Sequence, residues 1–291
     1  MRDFFGKITL LISLLLLSSC NDMVLLNPKG VIAEQQTNLL IISVLLMLII
    51  VIPTIVITIY FAWKYNHKRN EEYNPNFYHN TKIEIICWGV PTFIVIILAV
   101  IAWVTSHSLD PYREIKASKN DPIEIQVVAL DWKWLFIYPE QKIASVNWLQ
   151  IPVDTPINFK ITADAPMNSF WIPALAGQIY AMPGMQTKLH IMSDSVGNYL
   201  GRSSNYSGTG FSGMKFNTRV SSRQDFNEWV TKVKNSNENL DWTTYSELAK
   251  QTINHPVEYF ESVDMHLYHK IMDKFMNPNF GKQETNKHLN H

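Results

Sequence analysis

Two long apolar runs dominate the first third of the chain. Residues 35–63 form 29 consecutive uncharged positions, and residues 85–109 form another 25. Each run exceeds the roughly 20 apolar residues that a helix needs to cross a bilayer. The pattern therefore predicts a hairpin of two transmembrane helices, with spans at about residues 38–63 and 84–107.

The charges beside these runs predict how the hairpin is oriented. Lys29 is the only basic residue between Cys20 and the first run. The connection between the runs, by contrast, contains Lys64, Lys68, Arg69 and Lys82. Basic loops stay on the cytoplasmic side of a bacterial membrane. We therefore expect a multi-pass protein of the bacterial inner (cytoplasmic) membrane, with its N-terminus and C-terminal domain in the periplasm.

The first twenty residues have the pattern of an export signal. Arg2 and Lys7 precede a short apolar run, residues 8–17, which is too short to span a bilayer. The string Leu17-Ser18-Ser19-Cys20 resembles a lipoprotein signal box. We expect residues 1–19 to be a lipoprotein signal peptide and Cys20 to be lipidated, with an ordinary export signal as the alternative. Residues 20–110 then hold the N-terminal segment and the hairpin.

After Pro111 the pattern changes to short alternating segments separated by Pro, Asp, Asn and Gly. Such segments at this spacing favour an all-β sandwich or small barrel over residues 111–221. From Ser222 the apolar period becomes helical, which predicts helices at 224–234 and 261–276 within a C-terminal helical region and polar tail, residues 222–291. The candidate strands are 123–129, 132–138, 146–151, 157–162, 186–192 and 213–219.

Composition and cysteine content limit the binding partners and metal ligands that we expect. The chain has 25 acidic and 25 basic residues and no basic, aromatic-rich cluster, so a nucleic-acid partner is not expected. Its two cysteines are Cys20 and Cys87. The exported domain therefore contains neither a disulfide nor a thiolate metal ligand.

Six ordered strings resemble subunit II of the haem–copper oxidase superfamily, and look closest to the bo-type ubiquinol oxidases of proteobacteria. The resemblance covers roughly residues 20–235 and implies a cupredoxin-like fold for the β domain. The strings are Asn27-Pro28-Lys29-Gly30, Asp131-Trp132-Lys133-Trp134, Tyr138-Pro139-Glu140-Gln141, Met167-Asn168-Ser169-Phe170, Gln178-Ile179-Tyr180-Ala181-Met182, and Tyr206-Ser207-Gly208 with Gly213-Met214.

Within this superfamily, cytochrome c oxidases hold a binuclear copper centre on the exported domain. Its ligands are one histidine and a C-x-E-x-C-x-x-x-H-x-x-M loop. The resemblance places these degenerate copper positions at Asn168, Ser203, Asn205, Ser207, Phe211 and Met214. Because only Met214 keeps a ligand, we expect no metal and no other cofactor in this chain. Trp132 and Trp134 resemble the aromatic pair on the electron route of copper-bearing relatives, but here packing, or contact with the partner subunit, is favoured over a role in electron transfer.

The resemblance implies a non-copper, structural subunit II of a proton-pumping ubiquinol oxidase, which is an enzyme only as part of that complex. The expected partners are a haem-bearing catalytic subunit I, which holds the haems and one copper, other small membrane subunits, ubiquinol and membrane lipid. Glu84 corresponds to a glutamate at the mouth of a proton-uptake channel, or else is an interfacial carboxylate beside Lys82. Two alternatives are a menaquinol oxidase subunit II and a free-standing, membrane-anchored periplasmic lipoprotein that binds a protein partner.

Overall fold

The computed structural model describes residues 23–65, 79–115 and 120–277. The predicted signal peptide, Cys20, Lys68, Arg69 and most of the predicted polar tail lie outside the described residues. The chain divides into two compact units, residues 35–110 and a unit made of residues 1–34 with 111–291.

Two apolar helices make up the first unit. Helix α1 covers Val31–Lys64 and helix α2 covers Thr81–Ser108, so both extend beyond the predicted spans. Pro53 lies inside α1 and Pro91 inside α2 without ending either helix. Both helices are long and apolar enough to cross a membrane. The two-helix membrane anchor predicted from the apolar runs is confirmed.

The β domain consists of two main sheets and one two-stranded sheet. The larger sheet has the order β12-β3-β2-β1-β5-β8, the smaller has the order β4-β10-β9-β6-β7, and β11 pairs with β13. The strands are β1 Ile123–Leu130, β2 Lys133–Tyr138, β3 Ile143–Val146, β4 Trp148–Pro152, β5 Ile157–Ala163, β6 Asn168–Trp171, β7 Ile179–Ala181, β8 Thr187–Ile191, β9 Gly197–Ser203, β10 Lys215–Ser221, β11 Asn239–Leu240, β12 Glu258–Phe260 and β13 Ser262–Val263.

Aromatic side chains fill the space between the two main sheets. Trp134 and Phe136 from β2 are fully buried, and Phe170 and Phe216 project from the opposite sheet. The rings of Phe170 and Phe216 stack with centroids 5.2 Å apart. Burial of such large side chains is the main term that holds a sandwich together. The predicted all-β sandwich is confirmed.

The C-terminal region covers the other face of the larger sheet. Its helices are α3 Arg223–Val233, α4 Trp242–Leu248 and α5 Leu267–Met276. Val128 and Leu135 point away from the first core and pack against Tyr245 and Tyr268 in a second core. Strand β12 also extends the larger sheet by pairing with β3. The residues after Ser222 therefore pack directly on the β domain.

One predicted strand is interrupted in the structure, and one predicted helix begins several residues later than expected. The strand expected at 146–151 is interrupted at Asn147, which has a left-handed backbone (φ 55°) and ends β3 before β4 begins. The helix expected at 261–276 begins only at Leu267. Its N-terminus is fixed by Asp264, whose Oδ1 accepts a hydrogen bond from the His266 amide at 2.9 Å. In both places a polar side chain capable of local hydrogen bonding ends the regular pattern.

The segment before α1 is bonded to the β domain. The Lys29 amide donates to the Ala174 carbonyl at 2.8 Å, and the Lys29 carbonyl accepts from Ser193 Oγ at 2.8 Å. A Cβ at Gly30 would lie 2.8 Å from the Leu175 carbonyl oxygen, too close for any side chain. This close approach explains the glycine of the Asn27-Pro28-Lys29-Gly30 string.

Candidate functional site

The degenerate copper positions come from two neighbouring strands and the loop that follows one of them. Asn168 begins β6, Ser203 ends β9, and the other four lie in the loop of residues 204–214. Because β6 and β9 are antiparallel neighbours, with Phe170 opposite Ser203, Asn168 lies beside Ser203. We call this group of residues the ligand loop site.

Hydrogen bonds occupy the side-chain polar atoms of Asn168 and Ser203, whereas the buried Ser207 Oγ has no hydrogen-bond partner in the described part of the chain. Ser203 Oγ donates to Asn168 Oδ1 at 2.9 Å, and both residues are buried. Asn168 Nδ2 donates to the Pro166 carbonyl at 2.7 Å, while the Ser203 amide donates to the Met214 carbonyl at 3.2 Å. Hydrogen bonds thus connect strands β6 and β9 to each other and β9 to the end of the loop.

Trp132 packs on the remainder of the loop. Its Nε1–H donates to the Ser207 carbonyl at 3.1 Å. A Cβ at Gly210 would overlap the Trp132 ring, so only glycine allows this approach. Gly208 has a positive φ of 112°, and its position also lies against the ring. Trp132 thus packs against the loop, as Trp134 packs in the core, in line with the packing interpretation of this pair.

The donor atoms at these positions do not fit a binuclear copper centre. Copper of this kind needs soft thiolates and imidazoles. The site offers instead the amides of Asn168 and Asn205, the hydroxyls of Ser203 and Ser207, the phenyl ring of Phe211 and the thioether of Met214. Serine hydroxyls remain protonated at neutral pH, and a phenyl ring has no lone pair to donate. In the described part of the chain no cluster of three or more His, Cys, Asp or Glu could hold a metal ion.

A second candidate site lies at the start of α2. Asn80 caps this helix, its Oδ1 accepting from the amides of Lys82 at 3.1 Å and Ile83 at 3.3 Å. Glu84 lies in the first turn, and its Oε1 is 2.7 Å from Nδ1 of His79. The two side chains are 51% and 57% exposed, respectively, so water reaches both. The contact between His79 and Glu84 was not predicted from the sequence, because it depends on the turn that Asn80 makes.

Family models match three separate stretches of the chain. Residues 25–104 match the family described as cytochrome c oxidase subunit II, transmembrane domain, and residues 139–220 match the periplasmic domain of the same subunit. Residues 234–279 match the COX aromatic rich motif. The three matches follow the order of the elements described above.

Several relatives align with this chain over most of their own length. Ubiquinol oxidase subunit 2 of Acetobacter aceti is 51% identical over 277 residues, covering 94% of this chain and 90% of the relative. Cytochrome bo(3) ubiquinol oxidase subunit 2 of Pseudomonas putida is 47% identical over 279 residues, covering 96% and 88%. The chain belongs to the cytochrome oxidase subunit II family. Another member, quinol oxidase subunit 2 of Bacillus subtilis, is 39% identical over 244 residues, covering 83% of this chain and 76% of the relative.

Membership of the subunit II family settles three expectations. The chain is a subunit of an oxidoreductase complex, so the alternative of a free-standing lipoprotein is wrong. It is a membrane-anchored protein with a soluble C-terminal domain. The C-terminal region that the sequence indicated only as helical corresponds to the aromatic rich motif, whose Tyr245 and Tyr268 fill the second core.

Proposed function

We propose that this chain is the subunit II of a ubiquinol oxidase and has no redox centre of its own. The observation on which the proposal depends is the ligand loop site, where five of six copper positions hold side chains that cannot bind copper. A β domain without copper has no means of accepting an electron from cytochrome c. The electrons then come from a membrane quinol, oxidised in the catalytic subunit that holds the haems and the remaining copper.

The names of the relatives support ubiquinol as the reductant. The Acetobacter aceti and Pseudomonas putida proteins are ubiquinol oxidase subunits and are more similar to this chain than the Bacillus subtilis quinol oxidase subunit is. Menaquinol remains the rival substrate of the complex. Extraction and chromatography of the quinone that copurifies with the complex separates the two.

The proposed location is the bacterial inner membrane, with the β domain in the periplasm and Cys20 lipidated. The basic residues between the two spans support this orientation. The lipid would add to two spans that already hold the chain in the membrane. The helices would pack against the haem-bearing catalytic subunit and the small membrane subunits of the oxidase.

We propose that Glu84 takes up protons from the cytoplasm. An imidazole has two nitrogens, so His79 can accept a proton on one and release another from Nδ1. Nδ1 faces Glu84 Oε1 at 2.7 Å, which is hydrogen-bonding distance. The exposure of both side chains supports a role in collecting protons from water. An exposed ion pair contributes little to stability, about 0–1 kcal/mol, so removing it should leave the fold intact.

Absorption spectroscopy of the purified chain tests the central part of the proposal. We expect no visible band of the thiolate–copper type, and we expect the assembled chain to copurify in mild detergent with a many-spanning haem protein. A tightly bound copper pair with such bands would overturn the proposal.

Substitution of Glu84 tests the proton role. Glu84→Gln in the assembled oxidase should slow proton uptake during turnover, because the amide cannot take up or release a proton. Glu247→Gln is the control, since Glu247 is also an exposed, ion-paired glutamate but lies on α4 of the β domain. Equal proton uptake in the Glu84 variant and the parent would contradict the role.

A further inference from the structure

A short apolar turn precedes the first spanning helix. Residues Val24–Leu26 form one 3-10 turn, and together with Met23 they place four consecutive large apolar side chains at the surface. Each is between 46% and 53% exposed. Four adjacent apolar residues at the surface favour contact with another apolar phase over contact with water.

The turn is fixed to the β domain through the residues that follow it. The Lys29 amide and carbonyl bond to Ala174 and Ser193, and the Val31 amide donates to the Met192 carbonyl at 3.2 Å. Only residues 27–30 separate the turn from α1. Whatever contacts the turn is therefore coupled to the β domain by a short, bonded connection.

The chain on either side limits how far the turn can lie from the membrane. If Cys20 is lipidated, its acyl chains lie in the bilayer, and the three residues from Cys20 to Met23 extend at most about 10 Å. The headgroup layer on each side of the hydrocarbon core is itself about 5–8 Å thick. On the other side, α1 begins five residues after Leu26 and continues into the membrane span.

We propose that the turn Met23–Leu26 inserts into the outer headgroup region of the bilayer, as an additional attachment that lies between the lipid on Cys20 and helix α1. Its partner is the membrane lipid itself. This inference relies in part on the proposed lipidation of Cys20. Because the turn is bonded to the β domain, its insertion limits the tilt of that domain relative to the membrane surface.

Lipid is a better partner for this turn than a protein surface. The apolar side chains follow one another in sequence in a single tight turn, so they spread over several directions rather than forming one flat face. A fluid apolar phase can contact all of them at once, whereas a rigid protein surface would need a matching pocket.

A fluorescent probe at the turn tests the proposal in the assembled oxidase. Val24→Cys is made in a Cys87→Ser background, labelled with an NBD iodoacetamide, and reconstituted into vesicles of phosphatidylethanolamine and phosphatidylglycerol. We expect NBD emission shifted to shorter wavelength and loss of most of its intensity when the vesicles contain doxyl-labelled lipid. Asn198→Cys, on an exposed position of β9, is the matched control and should show neither effect.

Two results would overturn the proposal. Water-like emission at position 24 would mean that the turn lies in solvent, and shifted emission without quenching by doxyl lipid would mean that protein covers it. The lipidation of Cys20 is checked separately, by mass spectrometry of the N-terminus and by labelling of the Cys87→Ser parent, where any label marks a free Cys20. A quenched probe with a free Cys20 would support the turn as a lipid contact and reject lipidation alone.

Discussion

Ser203 donates its hydroxyl hydrogen to Oδ1 of Asn168 across 2.9 Å, although the two residues are 35 positions apart in sequence. Both are almost completely buried, at 4% and 1% exposure. The resemblance of the sequence to copper-bearing subunits predicts that these two positions correspond to a cysteine and a histidine ligand. In this chain the two positions hold a neutral hydrogen-bonded pair that joins two strands.

Removing this hydrogen bond should destabilise the β domain without affecting oxidation of quinol. Ser203→Ala leaves the buried Asn168 Oδ1 without its donor, at a cost of about 1–3 kcal/mol in the free energy of unfolding. Guanidinium unfolding of the purified subunit in detergent measures this change. A double-mutant cycle with Asn168→Ala should be non-additive by at least about 0.5 kcal/mol, because the residues are in contact. Additive effects would mean that the bond contributes nothing.

Restoring the soft ligands should restore copper binding. A variant with Asn168→His, Ser203→Cys, Asn205→Glu, Ser207→Cys and Phe211→His supplies the missing imidazoles and thiolates on the same strands and loop. We expect it to bind copper and to show visible thiolate–copper absorption. The same variant with Ser203 and Ser207 retained is the control and should remain colourless. A folded five-fold variant that takes up no copper would show that the residue correspondence is wrong.

The approach of Trp132 to Gly210 predicts a size effect. Gly210→Ala should force the ring away and break its bond to the Ser207 carbonyl, at a cost of about 1–3 kcal/mol, as overpacking of a close contact usually does. Thermal unfolding of the subunit in detergent measures the loss. The double variant Gly210→Ala with Trp132→Leu should lose less stability than the sum of the losses in the two single variants, because the smaller leucine leaves room for the added methyl group. A loss equal to that sum would argue against the clash.

Helix α5 should loosen at low pH. The Lys270 ammonium, 2.7 Å from Asp264 Oδ2, and the His266 amide hold the pKa of Asp264 below its usual value. Because the folded-state pKa is lowered, the stabilisation is complete at neutral pH and is lost as the pH falls below about 4. Asp264→Asn should therefore cost about 0.5–1 kcal/mol at neutral pH and little in strong acid.

Denaturant unfolding of the Asp264→Asn variant and the parent at both pH values measures this difference. Asp273→Asn is the control, because Asp273 is an exposed carboxylate on the same helix. A loss of stability for Asp264→Asn that is the same at both pH values would show that the charge of Asp264 has no part in fixing the helix.

The sequence predicts some of these elements well because their hydrophobic patterns are strong. The two spans follow from long uncharged runs, and β1 and β5 follow from clear alternation over Ile123–Val127 and Ile157–Ile161. Ser222 caps α3 as its position before a helical period indicates, with the Asp225 amide 3.1 Å from its hydroxyl. In these elements local preference and tertiary burial agree.

Other elements depend on neighbours that are distant in sequence. Strand β9, Gly197–Ser203, contains two glycines, and its sequence does not alternate apolar with polar residues. It is fixed by pairing with β10 on one side and β6 on the other. Helix α4 has only seven residues, too few for a helical period to stand out, and is fixed by burial of Tyr245 and Leu248 in the second core. Such elements follow from tertiary contacts rather than from local propensity.

The candidate site was predictable only in part for the same reason. The positions of the lost ligands came from a resemblance between short strings, not from any periodicity. The hydrogen bond between Asn168 and Ser203 depends on how β6 and β9 pair, and the contact of Trp132 with Gly210 depends on the course of a loop. Neither is encoded by residues that are adjacent in sequence.

Oxygen consumption by the purified, assembled oxidase tests the central claim most directly. The same preparation is supplied in turn with a reduced ubiquinone analogue and with reduced cytochrome c. The replacement of thiolate and imidazole donors in the ligand loop site predicts rapid oxygen consumption with ubiquinol and none above background with cytochrome c. Sustained consumption driven by cytochrome c would contradict the account, because it would require a route for electrons through the β domain.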